Sequence, residues 1–153
     1  MLLEGHYQNA YVTRDIEKSL ATFRTLYGVQ ETKHFQTEIE VKTPAGSAII
    51  VNELSFIWIG NLQYELIEPV SGAVDIYREA LPEQGMRLHH VCMRTFDWER
   101  TIAELDRHKL QIVLEGNTST GLKFVYADAR ATLGHYLEFV WMPQALWTAM
   151  GRR

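Results

Sequence analysis

Between Gln8 and Thr13 polar and apolar side chains alternate with a period of two. From Ile16 the period lengthens, and Ile16, Leu20, Phe23 and Tyr27 follow at steps of four, three and four. The first pattern predicts a strand with one buried face, the second a helix with one apolar stripe. Asp15 sits at the change of period, where a carboxylate accepts from the orphan N–H groups of a first helical turn. Gly28 sits where a left-handed residue stops a helix. The same change recurs downstream: the strand pattern opens at His90, Asp97 takes the capping position, and Trp98, Ile102 and Leu105 form the predicted buried stripe.

Gln8–Phe23 and His90–Leu105 align at a constant offset of 82 without a gap. The capping residue, the charges and the apolar phase agree from Asp15/Asp97 through Ala21/Ala103. Strand-like stretches follow the first helix at His34–Thr43, Ser47–Glu53, Ser55–Gly60 and Gln63–Pro69. Others follow the second at Gln111–Gly116, Leu122–Ala129 and His135–Trp141. The expectation is an α+β fold in which two tandem βαβββ modules form a curved mixed sheet around a cavity, with the helices outside and an extra strand in the first copy. Residues 1–153 read as a single domain, with module one at 5–70 and a linker helix at 71–85. Module two follows at 86–142 and a C-terminal tail at 143–153, where Pro143 opens a last helix.

Composition narrows the function. With 46% apolar and 22% charged residues the chain can bury one ordinary core. A net charge of −4 and scattered Lys and Arg argue against a nucleic-acid partner. No apolar run reaches the ~18 residues of a membrane span and no secretory pattern opens the chain, so a cytoplasmic location without a membrane partner is expected. The single cysteine, Cys92, excludes an internal disulfide and a thiolate-only metal site.

The chemistry lies in polar residues inside apolar strands. Neighbours on a strand face opposite ways, so His89 and His90 are not expected to line one cavity together; the offset matches His90 with Gln8. The last strand of each copy carries one glutamate, Glu65 in YELIEP and Glu138 in YLEFVW. A buried, unpartnered carboxylate is costly, and a solvent-facing edge strand is the plain alternative. If all four face inward, an amide oxygen, two carboxylates and an imidazole suit one divalent cation; spacing alone leaves both readings open. Phe56, Trp58, Tyr126 and Trp141 lie on the strands that would line a cavity. Arg94 shares the His90 side and suits an anionic substrate tail; Arg14 and Arg130 are further candidates.

Four segments, AYVTRDIEKSLATFRTLYGV, QYELIEP, GMRLHHVCMRTFDWE and ATLGHYLEFV, span nearly the whole chain. They resemble the vicinal oxygen chelate superfamily, the group of glyoxalase I, bleomycin-resistance proteins, methylmalonyl-CoA epimerase and extradiol dioxygenases. The resemblance implies metal ligands at Gln8, Glu65, His90 and Glu138 and a divalent cofactor, Zn, Ni, Co, Mn or Fe. The epimerase pattern has histidine where this chain has Gln8, which makes His6 the alternative first ligand. An isomerase, epimerase or lyase of a small carbonyl compound is implied, working through a metal-chelated enediolate or enolate. Glu138 would be its base and Glu65 the second carboxylate, with Arg94, Phe56, Trp58 and Tyr126 near the substrate. A homodimer is expected. Two other outcomes within the same superfamily are a non-catalytic small-molecule binder and an extradiol-type dioxygenase.

Overall fold

In the described residues, 1–150 of a computed structural model, the chain runs β1 (His6–Thr13), α1 (Ile16–Tyr27), β2 (Phe35–Thr43), β3 (Gly46–Ile59), β4 (Leu62–Gly72), α2 (Asp75–Arg78), β5 (Met86–Arg94), α3 (Trp98–Arg107), β6 (Ile112–Asn117), β7 (Lys123–Asp128), α4 (Arg130–Leu133), β8 (Tyr136–Trp141) and α5 (Gln144–Ala149). The Asp15 carboxylate accepts from the Lys18 N–H at 2.9 Å and starts α1, and Asp97 accepts from the Arg100 N–H at 3.0 Å and starts α3. Gly28 ends α1 with φ 66°, a conformation open to a residue without Cβ.

The eight strands form a closed barrel in the order β1-β4-β3-β2-β6-β7-β8-β5. Two pairs are parallel, β1 with β4 and β5 with β8; the rest are antiparallel. The fold is therefore mixed α+β, with the sheet curled fully on itself and the few helices packed outside. Ile16, Leu20 and Phe23 cover Ile57 and Leu66 on the outer face of β3 and β4, and Leu105 covers Met93, Leu137 and Phe139. Each such aliphatic side chain contributes about 1.5–3 kcal/mol on burial. Val12, Val41, Ile50, Ile67, Leu114 and Val140 fill the interior.

Three expectations need correction. Ser47–Glu53 and Ser55–Gly60 are parts of one 14-residue strand, because Leu54 carries no turn signal and continues the ladder opposite Phe35 and Ile67. The linker helix shrinks to Asp75–Arg78, confined between Gly72 and Pro82. Tyr27 is half exposed and stacks on Phe23 and Tyr64 instead of completing the buried stripe. Of the expected 143–153 tail, residues 151–153 lie outside the described residues.

The pairing of β1 with β5 skips twice. His6 pairs with Met93 and Gln8 with Cys92, which leaves Tyr7 as an extra residue on β1. Ala10 pairs with His90 and Tyr11 with Leu88, which leaves His89 as an extra residue on β5. Each skip is a β-bulge, the device that re-aims a side chain out of strict alternation. The opposite seam, β2 with β6, is short: Val41 pairs with Gly116 and Lys42 with Glu115. Phe124 closes over it because Gly116 has no Cβ; one would lie 2.6 Å from the Phe124 ring.

Candidate metal centre

β4, β1, β5 and β8 lie side by side in the barrel. Ala10 is paired with both Glu65 and His90, and Cys92 with both Gln8 and Glu138. Two small residues thus sit between four larger polar ones and leave room for their side chains to converge. His90 Nε2 lies 3.1 Å from Glu138 Oε2 and 3.4 Å from Glu65 Oε2. One ligand atom from each of the three residues falls within 4.8 Å of the others. All three are buried, as is Gln8.

Two atoms of this group lack a well-formed hydrogen bond. His90 Nε2 has no partner in hydrogen-bond geometry, and neither has Gln8 Oε1, although Gln8 Nε2 donates to Gln63 Oε1 at 2.7 Å. Buried polar atoms are normally satisfied, so unpaired ones demand a cause. A divalent cation supplies it: two carboxylates balance its charge, and an imidazole nitrogen and an amide oxygen complete a mixed N/O donor set. The residues present fit such an ion.

Both histidines are buried and their rings meet, because the bulge at His89 breaks the period. His89 Nε2 lies 3.0 Å from the Ile76 carbonyl oxygen, and His89 Nδ1 lies 2.9 Å from His90 Nδ1. A carbonyl only accepts, so His89 carries its proton on Nε2. Burial, and then the charge of His90, push the His89 imidazole down to about 3, which keeps it neutral. Its Nδ1 is therefore a lone pair that accepts from His90 Nδ1–H, and His90 Nε2 is aimed at the two carboxylates. Burial would lower His90 as well, but the neighbouring carboxylates, Glu138 ahead of Glu65, outweigh it and raise the imidazole to about 9. Burial raises the Glu65 carboxyl too. It pushes the Cys92 thiol well up, so that residue stays a packed thiol.

Glu65, Glu138 and Gln8 open on a cavity of about 200 Å³ inside the barrel, whose wall also includes Phe56 and Tyr126. Tyr126 lies against His90, ring centres 4.7 Å apart, and accepts a hydrogen bond from the Tyr77 hydroxyl. The other expected residues lie elsewhere. Trp58 packs against Tyr7 and Trp147 and donates from Nε1 to the Met150 carbonyl. Trp141 alternates with Val140, a cavity residue, and meets Lys123 on the other side of β8. The Arg94 guanidinium is sandwiched by Phe96 and Trp147, 4.7 and 4.3 Å from their ring centres, and donates to Gln144. His6 is exposed and bonded to Asn9, because the Tyr7 bulge separates its direction from that of Gln8.

Sequence reasoning passed over Gln63, Tyr77 and Asn52, and gave His89 no part in the site. Gln63 was within reach, being two residues before Glu65 on one strand and so on the same face. Asn52 and Tyr77 carried no comparable signal.

The sequence model of the glyoxalase/bleomycin resistance protein/dioxygenase superfamily matches residues 7–126. A search of curated proteins returned no match. Among solved structures, methylmalonyl-CoA epimerase of Streptomyces coelicolor, bound to 2-nitronate-propionyl-CoA, is similar at 16% identity and TM-score 0.61, covering 92% of this chain and 98% of that one. Methylmalonyl-CoA epimerase of Mycobacterium tuberculosis is similar at 12% identity and TM-score 0.59, covering 94% and 91%. A hypothetical protein of Bacillus halodurans is similar at 16% identity and TM-score 0.62, covering 91% and 94%. At such identities the likeness is one of fold. The family match extends over most of the polypeptide, and with it the chain belongs to the glyoxalase/bleomycin resistance protein/dioxygenase superfamily.

Proposed function

We propose that this protein is a divalent-metal-dependent isomerase, epimerase or lyase of a small carbonyl compound, with Gln8, Glu65, His90 and Glu138 as the metal ligands. The observation that carries the reading is the unsatisfied His90 Nε2 held between two buried carboxylates at the wall of a cavity. When bound, a divalent cation supplies Lewis acidity toward a carbonyl oxygen. The remaining chemistry belongs to the chain. Glu138 opens on the cavity and takes the proton α to the carbonyl, then returns it. Glu65, whose carboxyl is raised by burial, is the second proton carrier. The apolar barrel wall excludes water while the proton is out.

The two halves are read as copies of one unit. Tyr7 and His89, the two bulge residues, are themselves 82 positions apart, the offset that relates Gln8 to His90. A duplicated strand with its bulge explains why both polar side chains converge.

Elemental analysis and deuterium exchange test the proposal together. Purified protein is expected to hold one divalent ion per chain, lost in His90→Ala. Glu138→Gln is expected to keep an ion yet cease to exchange the α-proton of a chelating carbonyl compound in heavy water. Protein without stoichiometric metal, or exchange undiminished in Glu138→Gln, would overturn it. In the first case the apolar cavity favours the non-catalytic binder.

A further inference from the structure

The interior cavity carries information about what enters it. Its wall is apolar over most of its extent, with Ile39, Ile50, Leu54, Phe124 and Val140 around the carboxylates, and among the described residues no lysine or arginine lines it. Arg94, on the same strand as His90, is held between two aromatic rings and Gln144 outside this wall. An anionic group drawn into such a space would shed its water without meeting a partner. The acidic groups of this wall are Glu65 and Glu138, so a substrate carboxylate or phosphate meets no positive side chain there.

Size adds a second limit. An apolar cavity of about 150 Å³ accepts a benzene molecule, so about 200 Å³ holds one ring with a few further atoms. Phe35 and Phe56 are partly exposed, with ring centres 5.8 Å apart, and offer two aromatic faces to a flat molecule.

One polar group in the wall has no assigned work. Asn52, on β3, is 3% exposed, and its Oδ1 has no hydrogen-bond partner. It lines the cavity together with Glu65 and Glu138 but stands outside the ligand set. An amide oxygen buried at a cavity wall without a partner favours a ligand that brings an O–H or N–H donor over one that does not.

We infer that the ligand of this cavity is an uncharged, single-ring-sized apolar carbonyl compound bearing a hydroxyl group, and that Asn52 reads the hydroxyl. Only the role of the carbonyl rests on the reaction proposed above; size, neutrality and the donor come from the cavity. The same wall offers no cation to the anionic tail of a thioester or a glutathione adduct.

Metal-free protein suffices for the test, which separates this inference from the metal chemistry. Calorimetric titration with 4-hydroxyacetophenone, acetophenone, 4-acetylbenzoate and propionyl-CoA is expected to rank the hydroxylated neutral ketone first. Acetophenone should bind at least tenfold more weakly, and the two anions should not bind measurably. Asn52→Leu should bring the two neutral ketones to equal affinity. Leu122→Lys, which adds a cation to the same wall from a position not paired with Asn52, should admit 4-acetylbenzoate. Tighter binding of either anion to the unmodified protein, an unchanged ketone ratio in Asn52→Leu, or no binding of any neutral probe overturns the inference. Loss of α-proton exchange in metal-loaded protein, with this ranking intact, would sink the reaction and leave the ligand class standing.

Discussion

His89 and His90 are neighbours in the chain, and their Nδ1 atoms are 2.9 Å apart. Adjacent residues on a regular strand point away from each other; these two meet because His89 is the extra residue of a bulge. The outcome is a one-way chain of hydrogen bonds from His90 Nδ1–H to His89 Nδ1 and from His89 Nε2–H to the Ile76 carbonyl, with His90 Nε2 turned toward Glu138 and Glu65. Outer partners of this kind orient a ligand histidine, and losing one typically lowers metal affinity 10–100-fold. His89→Phe should therefore weaken Zn²⁺ binding by about that factor in a competition titration against a chelator, and ¹⁵N shifts of the His90 ring should show a mixture of tautomers. Unchanged affinity and a single Nδ1–H tautomer would make His89 a packing residue.

Acidity gives a second expectation. The His90 imidazole, at about 9, lies above the ~6.5 of an unfolded histidine. In metal-free protein its stabilising effect is complete below pH 6.5 and is lost as pH rises through 9. Glu65, also raised, works in the same sense from its own lower unfolded value. His89, lowered to about 3, works oppositely: its contribution is intact above pH 6.5 and is lost as pH falls toward 3. The melting temperature of metal-free protein should accordingly drop between pH 6.5 and 9. The drop should vanish in His90→Gln and on metal loading, which displaces the His90 proton. A flat profile in the unmodified metal-free protein would contradict the geometry.

Packing at the short seam is also open to test. Gly116→Ala would set a Cβ 2.6 Å from the Phe124 ring and 3.4 Å from Val41. Overpacking of this sort costs about 1–3 kcal/mol, readable as a lower denaturation midpoint. Adding Phe124→Leu should return part of that loss, since the two changes share one contact. Strict additivity would show that the glycine is conserving something other than room for the ring.

The helices were legible because their signals are local. Asp15 and Asp97 cap within three residues, and the stripe of Ile16, Leu20 and Phe23 declares a period. Glu65 and Glu138 stood out because a carboxylate inside an apolar strand needs a reason. The bulges were hidden, since an inserted residue such as Tyr7 or His89 has no side-chain signature of its own and shows only in the pairing of a distant strand. Barrel closure was hidden for the same cause: Val41 finds Gly116 across 75 positions, with nothing local to announce it. Trp141 misled because aromatic character does not say which face of a strand it occupies; Trp58 shares the face of Phe56 but is taken up by Tyr7 and Trp147.

The cylinder is fastened unevenly. Along β1 and β5 the ladder runs from Met86 to Met93 and carries Gln8 and His90; between β2 and β6 it amounts to two residue pairs, Val41–Gly116 and Lys42–Glu115. Such a wall has a hinge where the cation ligands sit and a clasp on the far side, near Phe124 and Ile39. Amide hydrogens of Val41, Lys42 and Gly116 should trade with heavy water well before those of Ala10, Val91 and Cys92. Opening at the clasp would let a guest reach the interior while the ligand-bearing strands keep their spacing.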